Sequence, residues 1–229
     1  MSSPDAHSTR TPYVPALGYR VLTPLYDRLL GLTLREEEFK SALIREAHVS
    51  AGHRVLDLGC GTGTLLLMLA RACSTLELSG VDGDPEILRI AAEKASTAGV
   101  GLELREAFAV DLPFADRTFD RVMSTLVFHH LTTIDKVRAL NEAHRVLRPG
   151  GMLLVADWGQ PQNTLMFLAS LGIRILDGAE TTKANLEGRL PGLMQDARFT
   201  DVQEVERRMT MFGTLSLYRA TRASSEQSK

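Results

Sequence analysis

Short apolar runs of strand length alternate along the chain with longer stretches in which apolar residues recur at helical spacing. The runs that predict strands are residues 55–58, 76–81, 102–105, 122–126 and 152–156. The stretches that predict helices between them are residues 65–71, 87–98 and 135–147. Strands that alternate with helices favour a parallel sheet with helices on both of its faces.

Local signals predict where several of these helices begin and end. Asp84 followed by Pro85 is typical of an N-cap and a first helical residue, and Gly99 is predicted to end the same helix. Arg148-Pro149-Gly150-Gly151 is predicted to stop the next helix, because proline lacks a backbone N–H and glycine leaves the helical region easily.

The N-terminal part of the chain predicts two further helices, over residues 25–30 and 34–47. Thr33 is a candidate N-cap of the second helix. Apolar residues lie on one face of that helix, namely Phe39, Leu43 and Ala47. We expect these N-terminal helices to lie over the mouth of the glycine turn discussed below.

The C-terminal third has a different character. Residues 165–176 predict an apolar helix, and residues 183–199 predict one or two shorter helices broken at Pro191-Gly192. Residues 201–208 and 214–220 predict two strands, and Leu217-Tyr218 favours a sheet edge.

A chain of 229 residues fits one domain. We expect residues 1–24 to form a segment that is flexible in part and residues 25–222 to form the domain. Within it, residues 158–199 are expected to form a helical substrate and cover region, which provides much of the substrate pocket. Residues 223–229 are expected to form a loose tail.

Composition narrows the class of protein further. Apolar residues at 44% suffice for a core, and a net charge of −2 gives no basic field for nucleic acid. Cys60 and Cys73 form neither a disulfide framework nor a metal-ligand pattern, which favours a reduced, cytoplasmic setting and no metal. No apolar run has the length of a membrane span, so stable membrane insertion is not expected, and the oligomeric state stays open.

The most informative stretch is Val55-Leu56-Asp57-Leu58-Gly59-Cys60-Gly61-Thr62-Gly63. A strand, a glycine turn and a helix form the opening of a βαβ unit that binds a nucleotide-like ligand. The dinucleotide fingerprint G-x-G-x-x-G does not fit, because Thr64 stands where its third glycine belongs. Glycines can serve packing alone at such a turn, but three alternate glycines after an acid in the strand favour a ligand.

Asp82 ends the second predicted strand, where an acid can accept two hydrogen bonds from a ribose diol. The alternative is a solvated turn aspartate. The order of strand, acid and N-cap favours the binding role.

Three ordered motifs together resemble class I S-adenosylmethionine-dependent methyltransferases, in particular their UbiE-like, small-molecule branch. The motifs are Asp57-x-Gly59-x-Gly61-x-Gly63, then Leu112-Pro113-Phe114 with Thr118-Phe119-Asp120, and then Glu142 to Gly151. The resemblance implies an α/β, Rossmann-like, doubly wound sheet of seven strands. The sheet would be mostly parallel with an antiparallel last strand, have helices on both faces and bind S-adenosylmethionine across the carboxyl ends of its strands.

The same resemblance implies roles for single residues. Gly59, Gly61 and Gly63, with Cys60 between them, would contact the methionine part of the cofactor, and Asp57 would help to place its amino group. Asp82 would hold the ribose hydroxyls, Gly83 would lie beside adenine, and Thr125 would line the pocket near the sulfonium. One residue departs from the family pattern: Phe108 stands where an aspartate often accepts from the adenine amino group, so it would pack on adenine instead.

Candidate acceptor-side residues follow the fourth and fifth predicted strands. His129 and His130 are candidate general bases; because adjacent residues seldom share a face, only one is expected to act, and His130 is favoured. The alternative for the other histidine is capping or packing. Asp157, Trp158 and the more distant Tyr26 are candidate acceptor contacts, although packing explains Trp158 and Tyr26 equally well.

The predicted activity is therefore methyl transfer to a small molecule, and the apolar helix at 165–176 suits an apolar or aromatic acceptor. Packing against the sheet explains this helix equally well. Two other classes stay open. An NAD-dependent oxidoreductase is disfavoured by Thr64 and by the lack of a Tyr-x-x-x-Lys pair, and a non-catalytic S-adenosylmethionine-binding protein has the same motifs.

Overall fold

The computed structural model describes residues 36–176 and 178–224, in which seven strands form one sheet. The strands are β1 (Arg54–Leu58), β2 (Glu77–Asp82), β3 (Glu103–Glu106), β4 (Phe119–Thr125), β5 (Leu147–Trp158), β6 (Phe199–Thr210) and β7 (Gly213–Arg222). The helices are α1 (Glu36–Glu46), α2 (Thr64–Ala72), α3 (Pro85–Ala98), α4 (Thr133–Val146), α5 (Thr164–Leu176), α6 (Ala179–Leu186) and α7 (Leu190–Asp196), with a 3₁₀ turn over Phe128–His130. The helix predicted at 25–30 and the cap Thr33 lie outside the described residues.

The strand order is β3-β2-β1-β4-β5-β7-β6. Every neighbouring pair from β3 to β5 is parallel, whereas β7 is antiparallel to both β5 and β6. The chain therefore leaves β1 in one direction for β2 and β3 and returns to its other side for β4. This confirms the predicted doubly wound sheet with an antiparallel last strand, and it places a topological switch point between β1 and β4.

Alternate residues of each central strand feed two cores on opposite faces of the sheet. Leu56, Leu58 and Val122 lie in the core that α4 and α7 cover. Val55 and Met123 lie in the second core, which contains residues of α1, α2, α3 and α5. The predicted buried face of α1 is confirmed, because Phe39, Leu43 and Ala47 are all fully buried there.

Two details of the C-terminal third differ from the sequence-based expectation. Strand β7 lies inside the sheet and Tyr218 is buried, so the edge is β6 and the predicted edge position was wrong. Pro191-Gly192 does not break a helix but stands in the first turn of α7, where proline removes only an N–H that has no helical partner. The break falls before it, at Gly188, which has a φ of 70°.

The second and third sequence motifs meet in space. The Glu142 carboxylate accepts the Leu112 N–H at 2.8 Å, and the Arg145 guanidinium donates to the carbonyls of Leu112 and Phe114 at 3.1 and 2.8 Å. Helix α4 thus holds the loop that leads into β4, which explains why the two motifs occur together.

Arg222 of the C-terminal strand β7 stabilises the junction between α4 and β5. The helix ends at Val146, earlier than the Pro-Gly-Gly sequence predicts, because Leu147 is already extended and pairs with Phe119. Arg222 Nη1 donates to the carbonyls of His144, Arg145 and Leu147, at 2.6, 3.0 and 2.6 Å. The two hydrogens of Nη1 are shared among these carbonyls, and the Arg145 carbonyl also accepts the Arg117 N–H at 2.9 Å, so Arg222 mainly satisfies the carbonyls of His144 and Leu147.

Within the described ranges, no helix combines the length and apolarity that crossing a bilayer requires.

We predict that Arg222→Met lowers the free energy of unfolding by about 1–3 kcal/mol, because it removes charge-assisted hydrogen bonds from partly buried carbonyls. Urea denaturation measures the change. Arg174→Met, at an exposed position of α5, is the matched control and should change stability by less than about 0.5 kcal/mol. Equal effects of the two variants would contradict this role of Arg222.

Candidate active site

The carboxyl ends of the parallel strands β1, β2, β4 and β5 meet at one edge of the sheet. The glycine turn follows β1, Asp82 ends β2, the histidine turn follows β4, and Trp158 ends β5. In a doubly wound sheet this edge, at the switch point, is where ligands bind.

The three glycines of the turn all have positive φ angles, of 67° at Gly59, 52° at Gly61 and 75° at Gly63. A Cβ on Gly59 would lie 2.4 Å from a methyl of Val127, and one on Gly63 would lie 3.3 Å from the Cβ of Ala91 in α3. A Cβ on Gly61 would have no atom within 4 Å. Two glycines thus allow close packing, while Gly61 presents bare backbone to open space.

Asp57 is a buried carboxylate with an unusual environment. Its side chain is 1% exposed, and neither oxygen has a hydrogen-bond partner among the described residues. Burial raises the pKa of Asp57 to about 7. The nearby Lys40 of α1 lowers this pKa, and Asp82 raises it. A carboxylate left in this state is destabilising unless a cation or donor approaches it.

Asp82 is fixed by the backbone around it. One carboxylate oxygen accepts the Gly61 N–H and the other accepts the Asp84 N–H, both at 3.0 Å. Burial raises its pKa, although these hydrogen bonds oppose the rise. Each carboxylate oxygen can accept a further hydrogen bond, so a diol can still be bound. Asp84 caps α3 as predicted, accepting from the N–H groups of Glu86 and Ile87.

Beside Asp82, the Phe108 ring lies against Gly83. A Cβ on Gly83 would lie 2.5 Å from the ring, which is itself 49% exposed at the rim of the site. Cys60 points the other way: its side chain is buried, and its sulfur would lie 2.8 Å from a Cβ on Gly80 in β2. The thiol also lies 3.8 Å from the Gly61 carbonyl oxygen, so the Cys60 side chain packs beneath the turn and does not line its open side.

Lys94 of α3 also holds the glycine turn, a role that the sequence did not reveal. Its ammonium donates to the hydroxyls of Thr62 and Thr64, at 3.0 and 3.1 Å, on either side of Gly63. Neither the separations of 32 and 30 residues nor the residue types give a sequence signal for these contacts.

The chain turns sharply where β4 ends. Thr125 is half-buried and pairs with Ala156, and the next residue, Leu126, has a φ of 58°. A left-handed leucine costs about 1–2 kcal/mol, and strain of this kind is often found at functional sites. The turn brings Val127 against Gly59 and starts the 3₁₀ turn that carries both histidines.

His129 points inward and forms a pair with Asp157. Its Nδ1 lies 2.8 Å from one Asp157 oxygen, and its backbone N–H lies 3.3 Å from the other. Burial raises the pKa of Asp157, but His129 and the Trp158 N–H outweigh it and keep the pKa below its ordinary value. Since an ionised carboxylate only accepts, His129 carries its proton on Nδ1.

His130 is the more exposed of the two histidines and packs against His129, with ring centroids 3.9 Å apart and the rings tilted by 42°. Desolvation by the surrounding atoms lowers its pKa, and the nearby His129 and Lys136 lower it further. The imidazole of His130 is therefore neutral at pH 7. Thus one histidine faces Asp157 and the other faces solvent.

Lys136 of α4 is a second residue that the sequence analysis missed. Its side chain is fully buried, and its ammonium donates to the carbonyls of Leu131 and Thr181. Burial lowers its pKa to about 8. The contact ties the histidine turn to α6, within the region predicted to cover the substrate.

The other residues that are predicted to contact the acceptor are less accessible in the structure. Trp158 is buried in the core that α5 covers, with its ring 6.2 Å from that of His129, and Asp157 is engaged by His129. Their contact with an acceptor stays a prediction, and Tyr26 lies outside the described residues. No cluster of three metal-ligating side chains occurs in the described ranges.

Comparison with known proteins agrees with this architecture. Residues 55–151 match a family model described as a methyltransferase domain. A solved S-adenosylmethionine-dependent methyltransferase from Methanosarcina mazei has the same fold, with a TM-score of 0.63 at 23% identity over 80% of this chain and 98% of that one.

Two curated relatives are more similar in sequence. The ubiquinone/menaquinone biosynthesis C-methyltransferase UbiE of Syntrophotalea carbinolica is 31% identical over 88% of this chain and 91% of its own length. The demethylmenaquinone methyltransferase of Thermus thermophilus is 39% identical over 61% of this chain, but the match spans only 64% of that relative.

The fold and the matched domain are those of a class I S-adenosylmethionine-dependent methyltransferase. Within that class, the chain belongs to the UbiE-like methyltransferases. The resemblance drawn from the three sequence motifs is thereby confirmed, and the alternative of an NAD-dependent oxidoreductase is not favoured.

The environment of Asp57 generates a stability prediction. Because its pKa in the folded protein, about 7, exceeds the ordinary 3.8, the folded state loses stability as the pH rises through this interval. Asp57→Asn removes the titration. The stability of the variant relative to the parent should therefore increase by roughly 2–3 kcal/mol between pH 5 and pH 8.

Melting temperatures of the ligand-free proteins at both pH values measure this change. Asp196→Asn, at an exposed position of α7, is the control and should show no such dependence. The raised pKa of Asp57 would be contradicted if the stability difference between Asp57→Asn and the parent were the same at pH 5 and at pH 8.

Proposed function

We propose that the protein transfers the methyl group of S-adenosylmethionine to a small, apolar aromatic acceptor of the quinone type, in its reduced form. The main support for the cofactor is Asp57, a buried carboxylate without a hydrogen-bond partner among the described residues. It lies near the glycine backbone of the turn, which a Cβ would cover. The names of the relatives, which act on demethylmenaquinone or in ubiquinone and menaquinone biosynthesis, support the acceptor class.

The residues at the sheet edge fit the cofactor in charge and in shape. Asp57 would receive its ammonium group, which removes the cost of the unpartnered carboxylate. Gly61 would lie against its methionine part, and the free acceptor sites of Asp82 would bind the ribose hydroxyls. Phe108 would pack on the adenine with the exposed part of its ring, next to Gly83, through ring contact rather than through a carboxylate.

When bound, the cofactor supplies a methyl group on a positively charged sulfur, which leaves without protonation. The protein then has to align the acceptor and to remove its proton. Thr125, at the end of β4, is placed beside the histidine turn and would line this part of the site.

His130 is our candidate for the base. The neutral imidazole of His130 can accept the proton of a phenolic hydroxyl, which makes the aromatic ring more nucleophilic, although its lowered pKa makes it a weaker base than an ordinary histidine. His129 and Asp157 would act behind it, because the buried carboxylate fixes the ring against which His130 packs. His129 is thus a positioning residue and His130 the catalytic one.

The region 158–199 offers a place for the apolar body of the acceptor. A surface depression of about 360 Å³ is lined by Gln160, Pro161, Asn163, Thr164, Phe167 and Leu186. It adjoins the end of β5, because Asn185 donates to the Trp158 carbonyl at 3.2 Å. Its walls mix amide groups with apolar side chains, which suits a ring that carries oxygens.

We predict that Gly61→Ala lowers the affinity for S-adenosylmethionine at least tenfold, because its Cβ occupies the space that the ligand needs. Isothermal titration calorimetry measures the affinity. Gly99→Ala is a matched control, because Gly99 also has a positive φ, 66°, with no atom within 4 Å of an added Cβ, but stands at the far end of α3. Both variants should lose about 1–2 kcal/mol of stability, and unchanged affinity in Gly61→Ala would contradict the proposed cradle.

We predict that His130→Gln lowers kcat about 100-fold while the affinity for S-adenosylmethionine stays unchanged, as expected for loss of a general base. Formation of S-adenosylhomocysteine with a reduced demethylated quinone as the acceptor gives the rate. Because the pKa of His130 is lowered, the acidic limb of the parent's pH profile should lie below pH 6.5 and vanish in the variant.

His53→Gln, at the opposite edge of the sheet before β1, is the control and should retain the parent rate. A protein that binds the cofactor but forms no S-adenosylhomocysteine with any reduced quinone would overturn the catalytic proposal. A full rate in His130→Gln would overturn only the role of this histidine.

A further inference from the structure

Helix α5 carries apolar side chains on its outer side as well as on its inner side, although only the inner side packs against the protein and Arg174 is exposed near its end. Met166 and Ile173 lie on the inner side and are buried. The outer side carries Leu165, Leu168, Leu171 and Ile175, of which Leu165 is 67% and Ile175 82% exposed. A surface helix normally turns polar residues outward, so an apolar outer stripe indicates a surface that another element covers.

This apolar surface continues onto the hairpin between β6 and β7. Met209 and Met211 are both exposed there, and the Asn163 amide nitrogen lies 3.6 Å from the Met209 sulfur. The hairpin and the start of α5 thus form one surface. We define the α5 patch as Leu165, Leu168, Leu171, Ile175, Met209 and Met211.

The first described helix begins at the border of this patch. Glu38, in the first turn of α1, lies 3.4 Å from the guanidinium of Arg208, the residue before Met209. The 35 residues that precede α1 therefore join the domain beside the patch.

The sequence of residues 13–32 is suited to an apolar surface. Of its 20 residues, 12 are apolar or tyrosine, and only Arg20, Asp27 and Arg28 are charged. Even at the rise of 1.5 Å per residue of an α-helix, 20 residues reach about 30 Å, compared with about 20 Å for the 13 residues of α5. Its length is therefore sufficient to follow the whole patch.

We propose that residues 13–32 dock on the α5 patch and cover it, which would place residues 25–30 there rather than over the mouth of the glycine turn. A segment tethered a few residues away has an effective concentration in the millimolar range, which exceeds that of a second copy at micromolar concentration. The docked segment would bury the outer stripe of α5 and lie over the region 158–199. This proposal concerns the patch alone and does not depend on the identity of the acceptor.

Limited trypsin digestion of the full chain, followed by mass spectrometry, tests the proposal. Arg20 and Arg28 lie within the proposed segment, whereas Arg10 lies before it and is the internal reference. We expect cleavage after Arg20 and Arg28 to be at least tenfold slower than after Arg10. In Leu168→Glu/Ile175→Glu, which places charges on the outer stripe, the three sites should be cut at similar rates.

Ile134→Glu is the matched control, because Ile134 is 67% exposed but belongs to α4 on the opposite face of the sheet. It should keep the slow cleavage of the parent. Met209→Lys, in the hairpin, is a second and independent patch variant, which should also accelerate cleavage after Arg20 and Arg28.

Three outcomes would overturn the proposal. The first is equally fast cleavage at all three sites in the parent, and the second is protection that persists in both patch variants. The third is that the parent sediments as a dimer, or together with phosphatidylglycerol vesicles, whereas the patch variants do not, although cleavage is the same in the parent and in the variants. That result would assign the patch to a second copy or to a lipid surface instead.

Discussion

A carboxylate buried at the end of β1 is the constraint on which the rest of this site depends. Asp57 has no hydrogen-bond partner among the described residues, and its raised pKa reflects the free energy that burial costs. Proteins rarely keep such a group unless a ligand needs it. Its place at the switch point of the sheet, next to bare glycine backbone, gives the ligand a fixed position for a positive charge.

The two halves of the site are mechanically joined. Val127, in the turn after β4, packs directly on Gly59, so the glycine turn and the histidine turn cannot move independently. The left-handed Leu126 sets the direction of the histidine turn, and Lys136 fixes its far end. A methyl group held by one half would therefore lie at a defined distance from an acceptor oriented by the other half, which is what an in-line displacement requires.

Much of this could be predicted from the sequence, because the decisive signals were local. The spacing of Gly59, Gly61 and Gly63, the cap at Asp84 and the strand–helix alternation gave the sheet and the cofactor edge. Contacts between distant residues had no such signal. The pairing of His129 with Asp157, the hold of Lys94 on Thr62 and Thr64, and the internal position of β7 depend on tertiary packing, which a periodic pattern does not encode. The prediction at Pro191 was wrong for a related reason, since proline can either end a helix or stand in the first turn of one.

The account rests on an ammonium group that meets the Asp57 carboxylate, and proton release on binding tests this most directly. Calorimetric titrations with S-adenosylmethionine at pH 7, in two buffers of different ionisation enthalpy, give the number of protons released. Because the raised pKa keeps part of Asp57 protonated at this pH in the free protein, the parent should release more protons on binding than Asp57→Asn does. Equal proton release by the two proteins would contradict the account.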